Sequence, residues 1–201
     1  MTTTLKSRTS SITRVTDETN IQLTLNIDGT GKRKIDTPVG FLNHMLEQFA
    51  KHGLFDLEIT ATGDTFFDDH HTVEDIGIVL GQAFAKAIGD KKGINRYGFF
   101  MLPMDDALAT IALDFSGRYS FRFDAEFKRE KIGDLSSELL EHFWDAFAQN
   151  AKVNLSMKSE FGRNDHHIAE SLFKAVAKTM RMACSLDDRL SDQLPSTKGK
   201  L

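Results

Sequence analysis

The sequence predicts an α+β fold made twice over, with helices covering one face of a sheet in each half. Three observations carry that prediction. Residues 41–61, FLNHMLEQFAKHGLFDLEITA, recur as residues 139–159, LLEHFWDAFAQNAKVNLSMKS, at an offset of 98. DDHHTVED at 68–75 recurs as NDHHIAES at 164–171 at an offset of 96, so the loop between the two blocks differs by two residues. Ahead of each pair runs an alternation of apolar and polar residues ending in Asp and then Gly, IQLTLNIDGTG at 21–31 and ATIALDFSG at 109–117. A repeat of this length sets the architecture on which every motif sits. It divides the chain into a first half, 1–93, and a second half, 94–201, meeting near Gly93.

Each element has its own signal. Met1 to Thr16 is rich in Ser, Thr and Arg and poor in acid, and reads as a flexible tail. The period-two alternation of 21–31 reads as a strand. Residues 41–61 read as helix, turn, strand, and Val73 to Ile88 places apolar residues at three and four spacing, as an amphipathic helix does. The second half repeats the order: strand at 109–117, helix, turn and strand at 139–159, helix from Ile168 to Met182. Leu42, His44, Phe49, Ala50 and Leu57 align with Leu140, His142, Phe147, Ala148 and Leu155. Sixteen Phe residues supply a shared core, with Phe143, Phe147 and Phe173 as packing positions.

Composition narrows the function. With 40% hydrophobic and 27% charged residues in a chain of 201, this is a globular chain. No stretch approaches the roughly 18 apolar residues a membrane helix needs. A net charge of -4 and scattered basic residues argue against nucleic acid as a partner, since phosphate neutralisation needs a clustered basic face. One cysteine, Cys184, forms no internal disulfide, and a reducing cytoplasmic setting is expected. Neither a GxxxxGK[ST] loop nor a GxGxxG turn is present, so no ATP, NAD or flavin site is indicated.

Six of the seven histidines occupy repeat-equivalent positions: His44, His70 and His71 in the first half, His142, His166 and His167 in the second, with His52 left over. A lone histidine is more often a surface or satisfied core residue than a ligand. Two copies of His-His-x-x-Glu, each preceded by Asp, are hard to explain by packing, which prefers apolar residues at such spots. On a helix, residues 70 and 74 share a face, whereas 70 and 71 diverge by about 100°, so adjacent histidines serve different ions. Glu74 and Glu170 complete eight donors, four for each of two ions. Imidazoles with one carboxylate per ion suit Mn, Fe, Zn, Ni or Co, and an octahedral ion keeps two positions open for substrate or water.

The blocks RVTDETNIQLTLNIDGTG, GFLNHMLEQFAKHGLFDL, DDHHTVEDIGIVLGQAF, GINRYG, PMDDAL, DFSGR, GRNDHHIAESLFKA and PSTKG resemble, in order and over nearly the whole chain, those of imidazoleglycerol-phosphate dehydratases of histidine biosynthesis. The resemblance implies halves of the ribosomal S5 domain 2-like type, each a four-stranded sheet backed by helices. It implies a 24-subunit homo-oligomer whose active sites, each with two Mn2+, form between subunits. The metal set it implies is the eight residues already counted, His44, His70, His71, Glu74, His142, His166, His167 and Glu170. Glu18 of TDETNI resembles the acid near the reacting carbons, and His71, His167 and Glu170 belong to the catalytic set with it. Gln48 resembles a substrate contact, and Arg96, Arg118, Lys174, Ser196 and Lys198 the phosphate-binding set, the last two on a C-terminal tail that orders over the phosphate. Pro38, Asn43, Asp106 and Ser156 depart from the family's pattern. Asn43 is expected to weaken a hydrogen bond to a metal-bound histidine.

The implied reaction is dehydration of D-erythro-imidazoleglycerol phosphate to imidazole-acetol phosphate. Metal pull on the substrate's imidazole favours expulsion of the adjacent hydroxyl through a diazafulvene-like species, and proton loss from the next carbon gives an enol that tautomerises. Two other readings fit the same residues: a metal-dependent hydrolase of another phosphate ester, and a non-enzymatic metal-binding shell.

Overall fold

A computed structural model describes residues 7–190 and 193–201. The first half contributes β1 (Thr9–Val15), β2 (Thr19–Asn26), β3 (Arg33–Asp36), α1 (Gly40–Gly53), β4 (Asp56–Gly63) and α2 (His70–Ile88). The second contributes β5 (Tyr97–Met104), β6 (Ala107–Asp114), β7 (Ser120–Asp124), α3 (Leu139–Ala151), β10 (Asn154–Phe161) and α4 (Asp165–Cys184), with a short hairpin, β8 (Lys131–Ile132) and β9 (Leu135–Ser136), inserted before α3. The two four-stranded sheets have matching orders, β1-β2-β4-β3 and β5-β6-β10-β7. In each, one edge strand pairs in parallel with the strand that follows the first helix, β3 with β4 and β7 with β10, and the other pairings are antiparallel. The duplication expected from the motifs is therefore present in the topology.

The segment read as a flexible tail up to Thr16 is corrected in part: Thr9–Val15 is β1, paired residue for residue with β2 from Thr9 with Asn26 to Val15 with Asn20. The order of strand, helix, strand, helix per half also gains β1 and β3 in the first half and β5 and β7 in the second.

Helices fill the space between the sheets, α2 on the first sheet and α4 on the second, with α2 against α3 and α1 against α4. The packing of α2 on α3 is close because two glycines admit it. A Cβ at Gly77 would stand 2.6 Å from the Phe143 carbonyl oxygen, and one at Gly81 2.5 Å from that of Phe147. Phe49, Phe84, Phe143, Trp144, Phe147 and Phe173 are almost fully buried in one continuous core that includes residues of both halves. Phe143, Phe147 and Phe173 are thus packing residues, as their sequence positions suggest.

The four helices of the described residues run the same way. Residue 77 lies beside 143 and 81 beside 147, so α2 and α3 are parallel; α1 and α4 meet at His44 with His166 near their starts, and α4 ends beside the Leu54 that follows α1. Their N-termini, the ends that carry partial positive charge, collect at one end of the molecule. The β1–β2 turn, the β5–β6 turn and the loop after β4 reach the same end, bringing Glu18, Asp105, Asp106 and Asp64 there. No helix among the described residues is long and apolar enough to cross a membrane.

The inserted stretch 128–136 binds these helix starts together. Asp134 accepts the Gly40 and Phe41 amides of α1 at 2.6 and 2.8 Å, filling the capping role that Val39 cannot. Asp69, at the start of α2, accepts the Ser136 amide and hydroxyl at 2.7 and 2.8 Å. Asp165, at the start of α4, accepts the Lys128 and Arg129 amides at 3.0 and 2.8 Å. The Asp preceding each His-His pair is therefore a buried clamp that fixes where the pair emerges.

Candidate metal centre and phosphate end

Six of the eight counted donors gather at the helix-start end in two groups of three, each drawn from both halves. His44 on α1 meets His166 and Glu170 on α4, and His142 on α3 meets His70 and Glu74 on α2; within each group the ligand atoms lie within 4.8 Å of one another. The pairing follows from helix geometry. Residues i and i+4 stack on one face, which aligns His70 with Glu74 and His166 with Glu170, and the parallel partner helix supplies the third donor. The rings of His44 and His166 are 5.4 Å apart, those of His70 and His142 4.6 Å.

His71 and His167 stand outside both groups, as the 100° divergence of adjacent helical residues requires. Four donors for each ion are therefore not assembled by one chain: each group holds three. Both outlying rings are oriented by acids. His71 Nδ1 is 2.9 Å from Asp64 Oδ2, and His167 Nδ1 is 2.5 Å from Asp106 Oδ1. A carboxylate only accepts, so Nδ1 bears the proton and Nε2 keeps the lone pair a metal needs. The same hydrogen bonds hold both imidazoles above their ordinary pKa, and His167, followed by the Arg163 amide, holds Asp106 well below the usual carboxylate range. Beyond each Nε2 stands a turn acid, Glu18 at 3.7 Å from His71 and Asp105 at 3.4 Å from His167.

The donor set fits a divalent ion. Among the described residues His142 Nε2 is buried without a hydrogen-bond partner although Glu74 lies 3.4 Å away, an orphaned nitrogen that a cation between them would satisfy. Glu170 is buried beside His166 at 3.1 Å, His44 at 3.6 Å and Lys174 at 2.6 Å. Burial pushes its carboxyl up, but the Lys174 ammonium and the His166 contact outweigh it and the net displacement is downward. Asn43, expected near a metal-bound histidine, instead spends both ends of its amide on Thr37, at 2.7 and 3.0 Å. Gln48 sits half-buried one turn beyond His44 on α1.

The turn that carries Glu18 is itself anchored. Thr16 Oγ1 accepts the Glu18 and Thr19 amides, Thr19 Oγ1 donates to Asp75 Oδ2 at 2.5 Å, and Arg14 Nε lies 2.8 Å from Asp75 Oδ1 at an ion-pair distance without hydrogen-bond alignment. Asp75 is 4% exposed and directly follows Glu74, a candidate ligand, so one helix turn fixes both a candidate metal donor and the acid.

Arg96, Arg118, Ser196 and Lys198 lie at the opposite end. The Arg96 amide bonds the Ala183 carbonyl at the close of α4, its guanidinium grips Asp114 through two nitrogens at 2.7 and 3.0 Å, and Nη1 donates to the Pro195 carbonyl, holding the tail. Ser196 Oγ donates to the Lys200 carbonyl and accepts the Lys198 amide, curling PSTKG. The tail passes over the DFSGR turn so closely that a Cβ on Gly117, at φ +74°, would meet the Leu201 carbonyl carbon at 2.6 Å. Positive charge is concentrated here. Burial first, then Arg96, Lys152 and Arg118, push the Lys91 ammonium down in spite of Asp114. Lys174, by contrast, is at the metal end, one turn past Glu170.

A family model described as "Imidazoleglycerol-phosphate dehydratase" matches residues 37–180. The chain belongs to the imidazoleglycerol-phosphate dehydratase family. It is 53% identical over 195 residues to the imidazoleglycerol-phosphate dehydratase of Rhodopirellula baltica, covering 97% of this chain and 96% of the relative. It is 49% identical to that of Caldicellulosiruptor bescii, covering 96% and 98%. Two solved dehydratases share the fold. The Staphylococcus aureus structure superposes with TM-score 0.79 at 36% identity, covering 89% of this chain and 99% of that one. The Pyrococcus furiosus structure, a complex with (S)-C348, gives 0.81 at 33%, covering 94% and 100%. Imidazoleglycerol-phosphate dehydratases are hydro-lyases, and the chain is an enzyme of that class.

Proposed function

We propose that the chain dehydrates D-erythro-imidazoleglycerol phosphate to imidazole-acetol phosphate and water, in histidine biosynthesis in the cytoplasm, with two Mn2+ per active site. The single observation that carries the metal dependence is the pair of three-donor groups assembled across the halves, one of them with an orphaned imidazole nitrogen. His44, His166 and Glu170 would hold one ion and His70, Glu74 and His142 the other. When bound, the ions act as Lewis acids toward an imidazole ring, easing loss of its N–H proton.

The chain's own groups supply the rest. Glu18, half-exposed beside His71, is suited to take the proton from the substrate carbon next to the one that loses hydroxide. One carbon gives up a hydroxyl and its neighbour a proton, so the enol formed is the substrate less one water, and tautomerisation yields the ketone. Arg96, Arg118, Ser196 and Lys198 hold the phosphate and fix orientation, while Gln48 and Lys174 contact the substrate from the metal side.

These groups do not reach one substrate within a single chain. Thirteen residues of α4 separate Glu170 from Ala183, where the Arg96 amide is bonded, and at 1.5 Å per residue that is about 20 Å. The substrate, about eight bonds long, spans no more than roughly 10 Å. This supports sites that form between copies, with His71 and His167 of one chain supplying the fourth donors to the groups of its neighbours, in a closed homo-oligomer of 24 subunits. The exposed Tyr97, Phe99 and Met101 on the outer face of β5 are surface that such an assembly would cover. The test is to compare Glu18→Gln with wild type. Turnover should fall steeply while Mn2+ content stays at wild type, and loss of metal in that variant would overturn the role given to Glu18.

A further inference from the structure

The two outward histidines look alike but are held differently, and the difference has a chemical consequence. Among the described residues Asp64 makes one hydrogen bond, from His71 Nδ1 to Oδ2, and its Oδ1 is buried without a partner. Asp106 makes three: Oδ1 takes His167 Nδ1 while Oδ2 takes the Arg163 amide at 2.6 Å and the Asn164 amide at 3.0 Å. Those amides belong to the loop that opens α4, and Asn164 in turn accepts the His166 amide at 2.9 Å. Asp106 therefore ties the His167 ring to the backbone that launches His166 and Glu170.

We propose that Asp106 is a positioning residue for metal binding that requires both oxygens of a carboxylate, whereas Asp64 requires only one acceptor oxygen. The inference rests on the two-ion reading above. Its logic is the count of donors facing each acid. An asparagine has one acceptor oxygen and one donor NH2. At 64, the amide oxygen replaces Oδ2 opposite His71 Nδ1 and the NH2 takes the place of the unpartnered Oδ1, so the ring keeps its tautomer. At 106, three N–H groups converge from two sides on one side chain. If the amide oxygen serves His167, the NH2 opposes the Arg163 and Asn164 amides. If it serves the amides, the NH2 faces His167 Nδ1, which must then accept, and the proton moves to Nε2, abolishing the lone pair offered to metal. Glutamate at 106, with two acceptor oxygens on a longer stem, keeps the count.

The test is Mn2+ bound per chain, measured by equilibrium dialysis of the assembled full-length protein over a range of free Mn2+, with circular dichroism to confirm a native fold. The expected result is wild-type binding for Asp64→Asn, loss of affinity at one of two ion positions by the 10- to 100-fold typical of removing an outer-shell partner for Asp106→Asn, and recovery for Asp106→Glu. Equal losses in Asp64→Asn and Asp106→Asn, or no loss in either, overturn the inference while leaving the two-ion reading intact. Should Asp106→Asn fail to fold, Asp64→Asn and Asp106→Glu still decide: metal loss in the first, or none regained in the second relative to Asp106→Ala, refutes it. A wild-type protein that binds no Mn2+ overturns both readings, and is told apart by that.

Discussion

Lys174→Met in metal-free protein tests whether Glu170 is a ligand. Lys174 and Glu170 form a buried pair at 2.6 Å, their side chains 15% and 8% exposed. Methionine keeps the length and packing of the lysine stem and removes only the charge. Stripping one partner from a buried pair costs roughly 3–5 kcal/mol because a charge is left uncompensated. The low end, about 3 kcal/mol, applies here, since His166 Nε2 remains 3.1 Å from the carboxylate. For a chain of this size each kcal/mol moves the melting temperature by about 2–4 °C, so the metal-free variant should melt about 6–12 °C below wild type. Saturating Mn2+ then compensates Glu170 in place of the ammonium, and the gap should close to about 3 °C or less, read in parallel thermal melts with and without the ion. A drop of the same size with and without Mn2+ would refute the placement of Glu170 at the metal.

Three further outcomes are expected. Asp75→Ala frees the turn bearing Glu18, and kcat should fall about 10- to 100-fold, the cost of a displacement near 1 Å, with Mn2+ content unchanged; equal loss of metal would show that Asp75 acts through Glu74 instead. Burial pushes the Asp69 carboxyl up, but the Ser136 amide and hydroxyl win and hold it below its ordinary value. Its stabilising effect is therefore complete above the unfolded-state pKa, near 4, and lost as pH falls through the lower folded value, so Asp69→Asn should flatten the acid limb of a melting-temperature profile below about pH 4 and leave its slope above that unchanged. Gly81→Ala drives a Cβ to 2.5 Å from the Phe147 carbonyl; forced apart, α2 and α3 should lose about 1–3 kcal/mol, seen as a melt lowered by about 2–12 °C.

Which parts of this were legible in the sequence follows from which residues a pattern exposes. The strands read correctly, β2, β4, β6 and β10, are the inner strands of the two four-stranded sheets, and the unread strands of those sheets, β1, β3, β5 and β7, are all edges. An edge strand buries little and shows a blurred alternation: β1 buries only Ser10, and β5 carries Gly98 and Pro103 within its span. The histidines were legible because the duplication repeats them, and the helical period separated His70 from His71. Their grouping was not, since the third donor of each set comes from the other half and no local spacing encodes it. The same holds for Asp64, Asp134 and Asp75, whose partners lie 7, 94 and 56 residues away. Asp69 and Asp165 carried a usable signal, an Asp before each His-His pair, but their role as clamps on residues 128–136 appears only when that loop is seen beneath them.

The most direct measurement strips the protein with chelator, restores Mn2+, supplies D-erythro-imidazoleglycerol phosphate, and follows the product by mass spectrometry. The account predicts a species lighter than substrate by one water that forms only when metal is restored. Substrate that stays intact while the protein binds Mn2+ tightly, or a product formed by release of phosphate, would contradict it.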